Sequence, residues 1–195
     1  SLLAEYPEHD EQTINQKLDA GRKAFASWKR ENFSSRGELM KRAGGILRTD
    51  KNKYARIIST EMGKVLREAE GEVEKCAGAC DFFAEQAESF LKDQVIKTDA
   101  SRSFVTWQPM GAVLAIMPWN FPFWQVIRFA APSLMAGNVG LLKHASNVTQ
   151  CSLAIENLFR DAGFPEGCFQ SLPIGSDKVD AVISDDRIAA VTLTG

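Results

Sequence analysis

Three short stretches of this 195-residue chain carry residue types able to do chemistry. The first is Pro118-Trp119-Asn120-Phe121-Pro122, where an apolar strand pattern ends and a helical one begins. Ligands of open α/β sheets collect at the carboxyl ends of strands, so this junction is a candidate site. Asn120 has two readings there. It is either the N-cap of the following helix, with Pro122 in the first turn, or an amide donor aimed at an oxyanion. The second stretch centres on Arg128, the one charged residue between Gly111 and Leu142. A guanidinium stays protonated and is costly to bury unpaired. It needs a carboxylate, a phosphate or a route to solvent. Phe121, Gln125 and Arg128 fall at i, i+4 and i+7 and so share one helical face. A structural ion pair, a snorkelling arginine and a bidentate clamp on a carboxylate all satisfy that pattern.

The third stretch is Leu141-Leu142-Lys143-His144-Ala145-Ser146-Asn147. A lysine directly after a buried strand, followed by hydroxyl and amide side chains, suits a ribose or a phosphate. It equally suits a strand end with Ser146 or Asn147 as the next helix cap. His144 reads as a surface-loop histidine. Gly175-Ser176 follows a third strand and forms a turn able to lie near a nucleotide. No GxGxxG loop and no Walker-type GxxxxGK loop occurs. Cys151 falls in the first turn of a helix, where the dipole would lower its thiol pKa. No base accompanies it, so it reads as structural.

The elements that must position these residues fall into two textures. Residues 11–95 show helical apolar spacing. Ile14, Leu18, Ala24, Phe25 and Trp28 define a first helix, starting near Asp10 or Thr13. Leu39, Ala43, Ile46 and Leu47 define a second. Tyr54, Ile57, Ile58 and Met62 define a third, ending near Gly63. Residues 64–92 form the longest. Residues 94–109 then read as a two-stranded hairpin turning at Ala100-Ser101. From Gly111 onward strands and helices alternate. The strands are Ala112–Met117, Val139–Lys143, Phe169–Pro173 and Ile188–Leu193. The helices are Pro122–Ala136, Asn147–Ala162 and Asp177–Ser184. This alternation, with nearly all-apolar strands, predicts an α/β fold with a parallel sheet covered by helices on both faces.

Composition excludes several classes. Hydrophobic residues at 45% and charged residues at 25% describe a globular chain with a sizeable core. A net charge of −2 offers no footprint for nucleic acid or an anionic membrane. The most apolar stretch, 112–142, is broken by Pro118, Pro122, Arg128 and Pro132, so it is not read as a membrane span. Ser1–Asp10 lacks the apolar run of a signal peptide. Cys76, Cys80, Cys151 and Cys168 make no metal-ligand pattern, and reduced thiols in the cytoplasm are expected.

Taken together, the MPWNFP block at 117–122, the AGN…LLKHAS block at 136–146 and the closing VTLTG resemble the aldehyde dehydrogenase superfamily. The likeness covers essentially the whole chain. It is nearest to the succinate-semialdehyde dehydrogenase branch, whose bacterial members also carry LLKHA after the second strand. That resemblance implies a Rossmann-type sheet, preceded by a helical N-terminal segment and a hairpin arm. Residues 1–93 would be the helical part of the cofactor-binding domain, 94–110 the oligomerisation hairpin, and 111–195 the βαβ nucleotide-binding part. It also implies NAD or NADP as cofactor, a small-molecule aldehyde as substrate, and a homodimer or homotetramer. Asn120 would donate to the oxyanion, and Trp119 would flank the nicotinamide end with Ile116, Met117 and Pro118 along the same wall. Lys143 would hold the adenosine ribose, with His144, Ala145 and Ser146 beside it. Gly175 and Gly195 would line the cofactor turns. Ser146 stands where NAD-preferring members often carry a glutamate, so a 2′-phosphate would meet no repulsion and NADP is expected to be accepted. Phe121 and Arg128 would contact the substrate, Arg128 gripping its distal carboxylate. Phe129 departs from the Lys or Arg many members carry there.

The family reaction needs a cysteine thiolate and a glutamate from blocks that this sequence does not contain. Neither a Gln-x-Cys nor a Glu-Leu-Gly-Gly block occurs. Residues 1–195 therefore read as the front part of such an enzyme, inactive alone. Two alternatives stay open: a broad-specificity aldehyde dehydrogenase with Arg128 structural, and a non-catalytic binding or assembly module.

Overall fold

The computed structural model describes residues 4–195. The reading of Ser1–Asp10 falls in part on residues 1–3, outside those described. Four helices come first: α1 (Glu11–Trp28), α2 (Phe33–Thr49), α3 (Lys51–Met62) and α4 (Leu66–Phe90). Their ends follow local chemistry. The Asp10 side chain accepts from Thr13 N at 2.8 Å, so Asp10 and not Thr13 caps α1. Asn32 caps α2 in the same way through Ser35 N at 2.8 Å. Gly63 ends α3 in the left-handed region at φ +75°.

Strands β1 (Gln94–Val95) and β2 (Phe104–Val105) pair antiparallel. The expected hairpin exists, but its ladder is only two residues long. Ala-Ser is a poor tight-turn pair. The chain instead makes a wider loop, closed by Ile96 N to Ser103 O at 2.9 Å and by the Thr98 and Ser103 hydroxyls at 2.7 Å.

The remainder alternates: β3 (Ala112–Met117), α5 (Trp124–Met135), β4 (Val139–His144), a 3-10 turn (Ser146–Val148), α6 (Thr149–Asp161), β5 (Phe169–Ser171), a second 3-10 turn (Ser176–Lys178), α7 (Val179–Ile183) and β6 (Ile188–Leu193). The four long-range strands form a parallel sheet in the order β5-β4-β3-β6. Helix α5 begins two residues later than its sequence pattern, and α6 begins behind the 3-10 turn.

Two faces of the sheet are visible in neighbouring residues. Gly140 faces Phe169 and, from α5, Phe129, while the Phe159 ring of α6 lies 4.8 Å from the Phe169 ring. On the opposite face Leu141 and Gln170 meet Gly21 of α1, and Gln170 Nε2 donates to Lys17 O at 2.8 Å. Full cover therefore holds at the middle of the sheet. At the edge strand β6 it does not: Ala189, Val191 and Leu193 are exposed, and only the short α7 precedes them. Helices α2 and α4 pack outside α5, and one continuous core joins the helical front to the sheet. The buried Trp28 closes the seam by donating from Nε1 to Leu134 O at 3.0 Å.

Gly167 sits at φ +85°, where an added Cβ would lie 2.5 Å from the Ala20 carbonyl oxygen. Backbone cannot yield there cheaply. Gly167→Ala is expected to destabilise the chain by about 1–3 kcal/mol, read as a lowered urea midpoint at unchanged slope.

Candidate active site

The carboxyl ends of β3, β4 and β6 bring the singled-out stretches to one edge of the sheet. Ala145 N and Thr194 N donate to Met117 O and Ile116 O, each at 3.1 Å, so the end of β3 is bridged on both sides. The chain leaves β3 through Pro118 into an irregular loop. Trp119 and Phe121 on that loop are half exposed, and Asn120 is exposed between them.

Asn120 does not cap α5. The cap position is Phe123, with no side-chain bond of its own. A distant carboxylate does the work: Glu72 Oε1 accepts from Phe123 N at 2.9 Å and Trp124 N at 3.0 Å. Among the described residues the Asn120 side chain makes no hydrogen bond. Its backbone is held instead, because Lys64 Nζ donates to Asn120 O at 3.1 Å. The same ammonium pairs with Glu72 Oε2 and lies 3.7 Å from the Phe121 ring centroid.

The start of α6 repeats the arrangement. Neither Ser146 nor Asn147 provides a side-chain cap. Glu61 accepts from Gln150 N and Cys151 N, each at 2.7 Å. Two carboxylates from the helical front thus satisfy the amino-terminal N–H groups of two sheet-covering helices, as the helix dipole favours. Sequence spacing could not reveal either, since Glu72 and Glu61 lie 51 and 89 residues from the first amide they cap.

His144 is buried, not a surface-loop residue. It is the last residue of β4 and points inward under the 117–122 loop. Nε2 lies 2.9 Å from Pro122 O, and Nδ1 lies 3.0 Å from Ala145 N and 3.1 Å from Met117 O. Burial, foremost, holds its pKa below the ordinary value; with Nδ1 facing the Ala145 N–H, the neutral ring would carry its proton on Nε2 and donate to Pro122 O. The Pro122 and Met117 carbonyls and Glu61 act the other way, and Lys143 adds to the lowering. The ring positions the loop, and its nitrogens are committed to internal partners.

A histidine whose folded pKa is depressed favours the fold above the ordinary value of 6.5 and penalises it below, as the unfolded chain takes up the proton first. Stability should therefore fall as pH drops through that window. His9, also held low by burial first, contributes in the same direction. Asp10 and Asp185, held low chiefly by hydrogen bonds from Thr13 and Arg187, act only below about pH 4. Urea titrations between pH 7 and 5 are expected to show the loss, and His144→Gln to flatten it.

Arg128 is exposed and has no carboxylate partner among the described residues. Its Nη2 donates to Thr194 Oγ1 at 3.3 Å. The alternatives of buried ion pair and solvent route resolve in favour of solvent. Arg128, Phe129, Met117, Thr192 and Thr194 line an apolar cleft of about 610 Å³ that runs to Phe83 and Phe90 of α4. Trp119 and Asn120 are not among its lining residues. Phe129 packs over Gly140.

Lys143 is half-buried at the end of β4 and Ser146 is exposed just beyond it. A notch of about 120 Å³ opens beside Ser146, lined also by Ala145, Glu8 and Ile174. The Glu8 carboxylate there is paired with Lys178 Nζ at 3.0 Å. A Cβ at Gly175 would meet the Asp177 carboxylate, which would have to swing aside. Gly195 is exposed, with nothing close to its Cβ position.

The four cysteines are Cys76, Cys80, Cys151 and Cys168. All are free and buried. Burial pushes the Cys80 and Cys168 thiols up to about 12. Cys76 and Cys151 are raised too, by burial first and then by Glu72 and Glu61 respectively. The lowering expected for Cys151 from the helix dipole is overturned: desolvation and the capping Glu61 outweigh it. Among the described residues there is no cluster with metal-ligand composition, and no helix is long and apolar enough to cross a membrane.

The model of the aldehyde dehydrogenase family matches residues 1–195, and the chain belongs to that family. It is 53% identical over 187 residues to a probable succinate-semialdehyde dehydrogenase (NADP+) of Synechocystis sp., an alignment covering 96% of this chain and 41% of that protein. It is 46% identical over 174 residues to the succinate-semialdehyde dehydrogenase (NADP+) of Mycobacterium leprae, covering 88% and 38%. Among solved structures, succinic semialdehyde dehydrogenase from Streptococcus pyogenes in complex with NADP+ superposes with a TM-score of 0.96 at 35% identity, covering 99% of this chain and 43% of that one. The chain spans about two-fifths of the length of these relatives.

Proposed function

We propose that residues 1–195 form the cofactor-binding and oxyanion-binding part of an NADP-accepting aldehyde dehydrogenase that oxidises succinate semialdehyde to succinate. One observation carries the reading: Asn120 has its backbone pinned by Lys64 while its amide is left uncommitted at the end of β3. A buried-side anchor with a free donor is the arrangement an oxyanion hole needs.

The residues present suit a dinucleotide. Lys143 offers a cation, Ser146 a hydroxyl, and Ile116, Met117, Pro118 and Trp119 a largely apolar wall. A nicotinamide dinucleotide held by these residues would supply the two-electron acceptor for the oxidation. The chain's own part is to orient and to stabilise. Attack of a thiolate on the aldehyde carbon converts the carbonyl into an alkoxide, and the Asn120 amide donates to it. Arg128 holds the far carboxylate, which fixes the aldehyde end relative to Asn120. The thiolate comes from outside residues 1–195, since all four thiols here are buried and raised. Residues 1–195 alone therefore give no turnover.

The exposed Val95, Ile96, Phe104, Val105 and Trp107 on and beside the hairpin support its use in a homodimer or homotetramer. Four free cysteines suit a cytoplasmic setting.

Aldehyde-dependent NADP+ reduction by the full-length protein tests the assignment, and Ser146→Glu tests the cofactor contact. A carboxylate at 146 would repel a 2′-phosphate and accept ribose hydroxyls. The variant is expected to lose about tenfold or more in kcat/KM for NADP+ while NAD+ use holds or improves. Equal losses for both cofactors would place Ser146 away from the 2′-position.

A further inference from the structure

We infer that Lys64 and Glu72 are positioning residues for the Asn120 amide, acting as one buried ion pair that fixes the middle and the α5 end of the loop between β3 and α5. The inference rests on the reading of Asn120 as oxyanion donor given above.

The side chains of Lys64 and Glu72 are 8% and 1% exposed. A buried pair of this kind is weak as a stabilising device. Desolvation consumes most of the Coulomb gain, and an apolar replacement often serves the fold as well. What distinguishes this pair is where its remaining hydrogen-bonding capacity goes. Glu72 accepts through Oε1 from Phe123 N and Trp124 N, the first amides of α5. Its Oε2 holds the Lys64 ammonium. Lys64 passes a second hydrogen bond to Asn120 O and covers the Phe121 ring. Among the described residues, every hydrogen bond and cation–π contact of the two side chains beyond the pair itself therefore lands on residues 120–124.

Without the pair the loop loses its tie to the helical front at two points. The carbonyl of Asn120 has Lys64 as its partner, and the start of α5 has Glu72. His144 still holds Pro122 and Ala145 N still donates to Met117 O, so the loop keeps its course but not the setting of Asn120. A donor on an exposed loop can aim at a developing alkoxide only if its backbone does not drift. Displacement by about 1 Å from productive geometry costs on the order of a hundredfold in favourable cases. Lys64 lies directly after the left-handed Gly63, so the α3–α4 corner delivers it to this spot.

The test is a double-mutant cycle in the full-length enzyme, with Lys64→Met, Asn120→Ala and the combined variant. Lys64→Met is expected to lower kcat about tenfold or more, with KM for NADP+ within about twofold of wild type. The combined variant is expected to be no slower than Asn120→Ala alone, because Lys64 acts through that amide. Glu72→Gln, which keeps an acceptor for the two amides but loses the charge, is expected to show the same non-additivity with a smaller loss. Thermal midpoints are recorded throughout. If Lys64→Met multiplies the defect of Asn120→Ala, or only lowers the midpoint, the pair is structural and the inference is overturned while the Asn120 reading stands. If Asn120→Ala itself leaves kcat unchanged, the reading of Asn120 falls and takes the inference with it. Should Lys64→Met not fold, the Glu72→Gln cycle decides by the same criteria.

Discussion

Asn120→Ala is expected to lower kcat of the full-length enzyme by about 10²- to 10³-fold, the usual effect of removing one oxyanion donor. The thermal midpoint should barely move. Asn120 is exposed and its side chain has no hydrogen bond among the described residues, so the fold loses nothing with the amide. Its backbone carbonyl, the part that Lys64 holds, survives the substitution. Had Asn120 been a helix cap, the substitution would have cost about 1 kcal/mol of stability and left the chemistry untouched. The two outcomes are opposite in kind, and kcat together with a melting curve separates them. Asn120→Asp sharpens the contrast: a carboxylate has no donor when ionised and repels an alkoxide, so its defect should match or exceed that of alanine.

Arg128→Ala should cost about a hundredfold in kcat/KM for succinate semialdehyde and leave butanal within about threefold. The reasoning starts from what Arg128 lacks. An arginine on an otherwise uncharged helix, beside a cleft lined by Phe83, Phe90 and Phe129, has Thr194 Oγ1 at 3.3 Å and no carboxylate partner among the described residues. A substrate carboxylate would supply one, with charge-assisted bonds stronger than those to water or to a threonine hydroxyl. Removing the guanidinium leaves butanal indifferent because butanal never used it. Stability should be unchanged, since an exposed side chain with one long hydrogen bond carries little of it. A melting midpoint that falls with both substrates equally slowed would make Arg128 structural and return the specificity to a broad class of aldehydes.

Local chemistry made much of the architecture legible. Apolar spacing located Ile14, Leu18 and Trp28 on one helix and Tyr54, Ile58 and Met62 on another, and all but the half-buried Met62 are buried. Gly63 marked its stop. The strands from Ala112 onward announced themselves as short apolar runs and did form a parallel sheet. The hairpin was legible in place but not in length, because its turn lacks the residues that force a tight register. Helix starts were the least legible feature. Ser146, Asn147 and Asn120 are all good capping types, yet none caps, since Glu61 and Glu72 reach the same amides from far along the chain. A local motif cannot reveal a donor–acceptor pair that only tertiary packing brings together.

The gathering of the candidate residues at one edge of the sheet was legible to the same degree and for the same reason. The residues on display, Asn120, Arg128, Lys143 and Ser146, could be picked from type and position. The residues that hold them could not. His144 read as a surface histidine because nothing in its neighbours signals that its ring turns inward, and Lys64 sits in an unremarkable stretch between two helices. Cys151 shows the limit of a single rule: the helix dipole pointed one way, and burial beside Glu61 pointed the other.

The measurement that bears most directly on the account is the ratio of kcat/KM for succinate semialdehyde to that for butanal in the full-length wild-type protein with NADP+. The account predicts a ratio of about a hundred or more, the worth of one charge-assisted clamp on the substrate carboxylate. A ratio near one would contradict the carboxylate-binding role of Arg128, and no oxidation of either aldehyde would contradict the proposed reaction as a whole.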